Sequence, residues 1–281
     1  DKNFDPVDER SISKLVAEFA PTQLVNMADF ISRNHSALKR AESSEERCKR
    51  INALLPASLA EICNQLDIPM LHLSNSYVFD GEKKLGYNEN DETNPKGVYG
   101  YYTLAGEQAV RNHPKHIIMR SGWLFGKHKI GLIKSWINSI KKHNGELTVS
   151  RRRFSPTSTA DLASAILAVI RQVDCDANVW GTYHYSGLET KKEVEFARQV
   201  LKYAANHDEE IYQLLDKTKI RENVPRLPEI PNSTLSSKKI FDTFGIKQKS
   251  WHGDLQESIK TLYVDRLRND LEQSSANDLS S

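Results

Sequence analysis

The sequence predicts an α/β protein built on a doubly wound parallel sheet, followed by a smaller C-terminal α/β subdomain. Two observations lead to this fold class. Helical and strand-like patterns alternate through residues 7–120 and become less regular from about residue 127, and such alternation is typical of helices that cross over between parallel strands. A short strand pattern at residues 69–73 also ends in the hydroxyl-bearing segment that begins at Ser74.

The first half of the chain predicts, in order, a helix, a strand, a long helix and a second strand, at residues 7–19, 23–28, 44–67 and 69–73. The first of these has apolar residues at helical spacing, namely Ile12, Leu15, Val16 and Phe19. Pro56 lies within the long helical pattern. Because proline has no N–H donor, it predicts a kink or a break there.

The next stretch continues the alternation with three helices and three strands, at residues 98–112, 116–120, 130–142, 147–149, 159–173 and 181–185. A proline-rich segment at 225–231 predicts a loop. The residues from 270 to 281 are mostly polar and are expected to fray. No internal repeat interrupts this order, which is that of a crossover α/β fold.

The composition excludes several classes of protein. Of 281 residues, 38% are hydrophobic, and the formal net charge of +2 is too small to predict a nucleic-acid or membrane partner. No apolar run reaches the roughly 18–20 residues that span a bilayer. Cys48, Cys63 and Cys175 are scattered and predict neither a disulfide framework nor a zinc site, which suits a reducing cytoplasm. His113 and His116 lack further ligands in the sequence, so no metal is expected.

Two segments carry the strongest functional signal. The first, SNSYVFDG at residues 74–81, reads as a strand end rich in hydroxyl side chains. The second, YGYYTLAGE at residues 99–107, opens a helix with a tyrosine in its first turn. Alone, such a tyrosine is more often a half-buried core aromatic than a catalytic group. Its interpretation therefore depends on the motifs around it.

Eight segments in order make the chain similar to the dTDP-4-dehydrorhamnose reductase family, which consists of extended short-chain dehydrogenases/reductases. They are Asn26-Met27-Ala28, Ile51-Asn52-Ala53-Leu54, Tyr77-Val78-Phe79-Asp80-Gly81, Leu104-Ala105-Gly106-Glu107, Arg120-Ser121-Gly122-Trp123-Leu124-Phe125-Gly126, Ser155-Pro156-Thr157, Tyr183-His184-Tyr185-Ser186-Gly187 and Asn232-Ser233-Thr234-Leu235. The resemblance runs from about residue 1 to residue 265. Each motif is weak alone, but the ordered series is specific.

The resemblance implies a Rossmann-like sheet whose first strand is central and is followed by a Gly-rich turn over the cofactor pyrophosphate. Residue 1 falls where the third strand of that fold would end, so the sheet lacks its first βαβ unit in this chain. An upstream segment of about 40–50 residues is expected to supply that unit. The alternative is a shortened relative that completes its sheet with a partner chain.

The same resemblance divides the chain into two parts. Residues 1–150 are expected to form the N-terminally incomplete cofactor domain, to which residues 158–185 return. Residues 127–157 and 186–265 are expected to contribute to a smaller substrate-binding subdomain. Residues 266–281 are expected to form a polar tail.

By resemblance, the reaction is NAD(P)H-dependent reduction of a nucleotide-linked 4-keto-deoxysugar, as in dTDP-rhamnose biosynthesis. Tyr99 is then the proton donor, and Ser74 or Asn75 hydrogen-bonds the carbonyl. Four positions after the tyrosine, where such enzymes carry lysine, stands Thr103. The lysine lowers the pKa of the phenol from about 10 and holds the nicotinamide ribose, and threonine does neither. Because Asn75 also replaces the usual threonine, the sequence predicts an impaired enzyme or a pseudoenzyme.

The resemblance also assigns binding residues. Those expected at the NAD or NADP site are Asn26, Met27, Ala28, Asn52, Ser74 and Tyr99. Those expected at the substrate site are Ser76, Val78, Trp123, Arg152, Arg153, Ser155 and Thr157. Trp123 can equally fill the core. Residues 151–153 are by default a solvated charge cluster, with diphosphate binding as the functional reading and nucleic-acid binding as the weakest one.

Three functions remain open from the sequence. The first is the reductase. The second is a non-catalytic nucleotide-binding or nucleotide-sugar-binding protein that serves as a regulatory or scaffolding subunit, as the regulatory beta subunit of methionine adenosyltransferase does within the same broad family. The third, an epimerase or dehydratase, is weaker because such enzymes depend on the same Tyr/Lys couple. The expected partners are a nucleotide sugar and either a second copy of the chain or a partner enzyme.

Overall fold

A computed structural model of the protein describes residues 9–278, apart from 31–36, 174, 176–178 and 226–228. The start of the predicted helix at 7–19, the centre of the predicted loop at 225–231 and residues 279–281 of the tail lie outside the described residues.

The helices are α1 Glu9–Phe19, α2 Ala37–Ser43, α3 Glu45–Lys49, α4 Leu55–Gln65, α5 Val98–Val110, α6 Gly131–Lys142, α7 Thr159–Val173, α8 Glu193–Ala204, α9 Glu209–Leu214, α10 Lys238–Phe244 and α11 His252–Asp278. The strands are β1 Leu24–Asn26, β2 Met70–Asn75, β3 His116–Ser121, β4 Leu124–Phe125, β5 Glu146–Ser150, β6 Arg153–Phe154, β7 Thr157–Ser158, β8 Gly181–Tyr185, β9 Lys191–Lys192 and β10 Lys219–Asn223.

The main sheet has four parallel strands in the order β1-β2-β3-β8. The central pair runs in register from Met70 beside His116 to Asn75 beside Ser121. Since all four strands run in one direction, their carboxyl ends meet at one edge, which is where parallel α/β sheets bind ligands. The predicted fold class, a parallel Rossmann-like α/β sheet, is confirmed.

Helices cover both faces of this sheet. Side chains of adjacent residues in a strand point to opposite faces. Accordingly, Met70 and Ile118 pack with the α4 and α5 side, while Leu71 and Ile117 pack with α7 and α10. Burial on both faces explains why β2 and β3 are continuous apolar runs rather than alternating ones.

The regular α-helix predicted over residues 44–67 is interrupted just before Pro56. The segment is α3, then a π-helical turn Arg50–Leu54, then α4 with the proline in its first turn. Because Pro56 has no N–H, it cannot bond the carbonyl of Asn52 four residues earlier. The widened turn places the Asn52 side chain against α5.

Two glycines let α5 approach its neighbours closely. A Cβ on Gly106 would lie 2.1 Å from the carbonyl oxygen of Asn52, and a Cβ on Gly100 would lie 2.3 Å from that of Tyr77. Real Cβ atoms do not come this close, so only glycine fits at these two positions. The tyrosine helix is therefore fixed against both the π-helical turn and the end of β2.

A second core lies beyond the main sheet. It is formed chiefly by α6, β5, α8, α9 and α11, with Trp136, Phe196 and Trp251 at its centre. Strand β5 pairs in parallel with β10, and β6 pairs antiparallel with β9. We keep the division at residues 127–157 and 186–265 as a proposal, with this core as its basis.

Helix α11 continues to Asp278, past residue 270, from which the sequence predicts fraying. The polar tail at 266–281 stays a prediction. Polar residues do not oppose a helix when they are good helix formers, and the segment contains Leu, Glu, Gln and Ala. Low hydrophobicity was therefore a poor guide to local order.

Candidate active site

The carboxyl edge of the sheet brings together three side chains that are far apart in sequence. Tyr99, in the first turn of α5, has a buried ring that is 2% exposed. Its hydroxyl donates to both carboxylate oxygens of Asp29, at 3.0 Å each, and accepts from Nδ2 of Asn75 at 2.6 Å. Asp29 is exposed and Asn75 is half-buried, so the buried hydroxyl is hydrogen-bonded to two residues that solvent reaches.

The surroundings of Tyr99 keep its phenol protonated. Burial raises the pKa of Tyr99 well above its ordinary value, and the Asp29 carboxylate raises it further by charge and by accepting the hydrogen bond. A lysine at position 103 would lower the pKa of the phenol, because a nearby cation favours the phenolate. The electrostatic environment is thus the reverse of the one that activates such a tyrosine.

Thr103 lies one turn along the same helix and is buried. Its hydroxyl donates to the carbonyl of Tyr99 at 2.8 Å and accepts from Nδ2 of Asn52 at 3.0 Å. Asn52 also donates to Asp29 at 3.2 Å and accepts from the backbone N–H of Phe30 at 2.8 Å. Threonine therefore joins the π-helical turn to α5 by neutral hydrogen bonds.

The loop after β1 contributes an exposed surface. Asn26 is buried, accepts from the backbone N–H of Ala28 at 3.1 Å and donates to Nδ1 of His72 at 3.1 Å. Burial lowers the pKa of His72 to about 4, with a smaller opposing effect of Glu107, so its ring is neutral near pH 7. Met27 is 55% exposed. The amide of Asn26 thus shapes the loop, and Met27 and Ala28 remain accessible.

Ser74 belongs to a different network from Asn75. Its hydroxyl donates to the buried Glu107, which also accepts from Nε and Nη2 of Arg120 at 2.8 and 2.7 Å. Arg111 donates to the same carboxylate at 2.8 Å. The Ser74 proton is therefore committed to a structural ion pair, and Asn75 is the member of the predicted pair that lies beside Tyr99.

The two predicted substrate residues nearest to β2 lie in the interior. Ser76 and Val78 are buried within a 3₁₀ turn, Ser76–Val78, and Val78 packs with Phe79, Tyr87 and Leu235. Neither side chain contacts the Tyr99 hydroxyl.

The other predicted substrate residues lie at the second core. Trp123 packs against Phe125, Phe154 and Phe196, so it fills that core at least in part. Ser155 and Thr157 are buried, and the Thr157 hydroxyl donates to the carbonyl of Ser155 at 3.0 Å.

The arginine cluster at residues 151–153 is split by burial. Arg151 and Arg153 are exposed, whereas Arg152 is buried and ion-paired with Glu193. Arg152 also donates to the hydroxyl of Tyr77 at 3.4 Å, and the Tyr77 ring meets Tyr99 edge-on at 5.5 Å. Tyr77 thus connects Tyr99 to the substrate subdomain proposed above.

Sequence reasoning missed Asp29. It lies 70 residues before Tyr99, directly after the recognised Asn26-Met27-Ala28 loop. The available signal was its position past the carboxyl end of β1, which pairs in parallel with β2. Because β1 and β2 are parallel neighbours, a residue just past the end of β1 lies on the same side of the sheet as the residues just past the end of β2.

Among the described residues, no three His, Cys, Asp or Glu side chains are grouped so that they could hold a metal ion. None of the helices in the described part of the chain is both long and apolar enough to cross a membrane.

A parallel α/β sheet with a tyrosine helix beside its carboxyl edge defines a dinucleotide-fold protein of the short-chain dehydrogenase/reductase type. The chain matches the family model "RmlD substrate binding domain" over residues 1–264, and it belongs to that family.

Individual proteins and solved structures similar to this chain agree with the family assignment. The dTDP-4-dehydrorhamnose reductase of Sinorhizobium fredii is 28% identical over 274 residues, covering 94% of this chain and 88% of that protein. The reductase structure from Clostridium acetobutylicum aligns with a TM-score of 0.76 at 28% identity, covering 95% of this chain and 88% of that one. The Bacillus anthracis reductase, in complex with NADP, aligns with a TM-score of 0.74 at 25% identity, covering 91% of this chain and 85% of that one.

Proposed function

We propose that this protein keeps the ligand cleft of a dTDP-4-dehydrorhamnose reductase but is impaired as a reductase. It binds NAD or NADP and a nucleotide-linked 4-keto-deoxysugar, and transfers hydride much more slowly than relatives that carry the lysine. The observation that carries the proposal is the Tyr99 hydroxyl, which donates to Asp29 at 3.0 Å while Thr103 stands at the lysine position. A phenol whose proton is held by a carboxylate is a poor donor to a ketone.

The described residues fit the nicotinamide end of such a cofactor. Asp29 presents a carboxylate at this edge, beside the Tyr99 hydroxyl, and carboxylates accept hydrogen bonds from ribose hydroxyls. When bound, the cofactor would supply the hydride. The NADP complex of the Bacillus anthracis relative supports this assignment. We retain the exposed loop residues Met27 and Ala28 as neighbours of the cofactor.

The test is NADPH oxidation with dTDP-4-keto-6-deoxyglucose, measured beside direct binding of NADPH. We expect the wild type to bind and turn over slowly. Thr103→Lys alone should gain little, because Asp29 still holds the phenol proton. Thr103→Lys combined with Asp29→Ala should gain about 10²-fold or more, the usual effect of one well-placed group on an oxyanion.

Wild-type turnover at an ordinary kcat of about 1–10³ per second would reject the impairment. Absence of binding to both ligands would reject the function altogether. Asp29→Ala alone is the matched control for the double variant.

The second candidate is a non-catalytic regulatory or scaffolding subunit, acting with a partner enzyme or as a homodimer. The Asp29–Tyr99 hydrogen bond favours it, because this contact stabilises a site that has no need to release a proton. Here the cofactor should bind as tightly to Tyr99→Phe as to the wild type, with no turnover in either. For either candidate we propose a reducing, cytoplasmic location, in which Cys48 and Cys63 remain buried free thiols.

A further inference from the structure

The orientation of the Asn75 amide is fixed by its neighbours. Its Oδ1 accepts from the backbone N–H of Tyr77 at 2.9 Å. A backbone N–H can only donate, so the atom facing it must be the amide oxygen. The NH₂ group therefore faces Tyr99, to which it donates at 2.6 Å.

The direction of each hydrogen bond at the phenol follows. The Tyr99 hydroxyl donates to both carboxylate oxygens of Asp29, so the Tyr99 proton points to Asp29. Asn75 uses one lone pair of the phenol oxygen. What Tyr99 still offers to a ligand is its other lone pair, which is an acceptor. The Asn75 NH₂ offers its second hydrogen, which is a donor.

This pair of groups distinguishes an alcohol from a ketone. A sugar hydroxyl both donates and accepts, so it can donate to Tyr99 and accept from Asn75 at once. A ketone oxygen can only accept hydrogen bonds. It can accept one from Asn75, but it can form none with the Tyr99 oxygen, whose remaining lone pair is also an acceptor. Groups left unpaired in this way weaken binding.

We propose that the Tyr99 site is set to bind the hydroxyl form of a nucleotide-linked deoxysugar in preference to its keto form, with Asp29 as the specificity-determining residue. This rests on the proposed function, namely that the cleft takes a nucleotide sugar. Asp29 acts through the Tyr99 proton: with the carboxylate present the phenol is an acceptor, and without it the phenol is a donor.

The test compares two ligands that differ only at C4, dTDP-4-keto-6-deoxyglucose and dTDP-6-deoxyglucose, by calorimetric titration of the full-length protein without cofactor. The wild type should bind the alcohol about tenfold more tightly or better. In Asp29→Ala, the freed phenol proton should raise affinity for the ketone, and the preference should vanish or invert.

Glu61→Ala is the matched control, because it removes an exposed carboxylate from helix α4 of the same domain. It should leave the ratio of the two affinities unchanged. Circular dichroism should show that Asp29→Ala is folded. Tyr99→Phe should bind both sugars with similar affinity.

Equal or tighter wild-type binding of the ketone would overturn the inference while leaving the proposed function in place, and so would an unchanged ratio in Asp29→Ala. If neither sugar binds, the proposed function fails and the inference fails with it.

Discussion

Ser74 and Asn75 are neighbours on β2, yet their side chains enter two networks of opposite character. Ser74 points to Glu107 and Arg120, where a buried carboxylate is paired with the buried Arg120 and the exposed Arg111. Asn75 points to Tyr99 and Asp29, where a carboxylate at the surface polarises a neutral phenol. In the first network the Ser74 hydroxyl and the Arg120 guanidinium both donate to Glu107. In the second, we infer that one lone pair of Tyr99 and one amide hydrogen of Asn75 can bind a ligand.

This difference separates stability from recognition. Buried charges must be paired to be tolerated, so any change in the Glu107 network should affect folding first. The Tyr99 network is smaller and more exposed, so changes there should alter ligand choice more than stability. The following experiments test this separation, from the largest expected effect to the smallest.

Glu107→Ala should be the most damaging change. It leaves Arg120 buried and unpaired, which typically lowers the free energy of unfolding by about 3–5 kcal/mol. Urea unfolding would measure the loss. As the matched control, Glu61→Ala should change stability by less than about 0.5 kcal/mol. If Glu107→Ala lowered the free energy of unfolding only slightly, the Glu107 network would not be important for stability.

The stabilising effect of the Glu107 carboxylate should depend on pH in the acid range. Burial alone would raise the pKa of Glu107, but Arg120, Ser74 and Arg111 together lower it. Its contribution is therefore present above the unfolded pKa of about 4.3 and is lost as pH falls through the lower folded value. The difference in unfolding free energy between wild type and Glu107→Gln should shrink over that acid range. A difference that stays constant below pH 4 would contradict this.

Gly106→Ala should have an intermediate effect. Its Cβ would lie 2.1 Å from the Asn52 carbonyl oxygen, so α5 must move away from the π-helical turn. Such overpacking typically costs about 1–3 kcal/mol. Thermal unfolding would measure it, with Gly253→Ala as the control, because nothing lies within 4 Å of a Cβ at that position. Equal melting temperatures for the two variants would contradict the close approach.

Asp29→Ala should have a smaller effect on stability than Glu107→Ala, about 0.5–1.5 kcal/mol for each of the hydrogen bonds that it loses from Tyr99 and Asn52. Its clearer result should be the titration of Tyr99. Burial and Asp29 both raise the pKa of this phenol, so removing the carboxylate should move its titration to lower pH, though not to the value of a free tyrosine. NMR of labelled tyrosine, assigned with Tyr99→Phe, would follow it. An unchanged titration would mean that burial alone sets the pKa.

Much of the fold was predictable because its signals are local. The helix at 159–173 and the strand at 181–185 were predicted with the bounds that the structure gives them. Two-residue strands such as β4, β6, β7 and β9 were not predicted. They contain too few residues to show alternation, and their pairing depends on contacts between distant segments.

The site was predictable only in outline. The motif around Tyr99 was recognised, and threonine at position 103, where the resemblance leads us to expect lysine, can be read directly from the sequence. Asn75, rather than Ser74, hydrogen-bonds Tyr99 because the two side chains point to opposite faces of β2. The motif alone does not show which side chain points to which face. Asp29 joins the site across 70 residues, and only the parallel pairing of β1 with β2 brings it there.

The close approach of α5 at Gly100 and Gly106 has a consequence for protein engineering. The helix that carries the tyrosine has no spare volume on the sides that meet Asn52 and Tyr77, so larger residues at Gly100 or Gly106 would displace Tyr99 itself. Met27 and Ala28, in the loop after β1, are exposed. New ligand preferences are therefore more readily introduced at these two positions than on the helix.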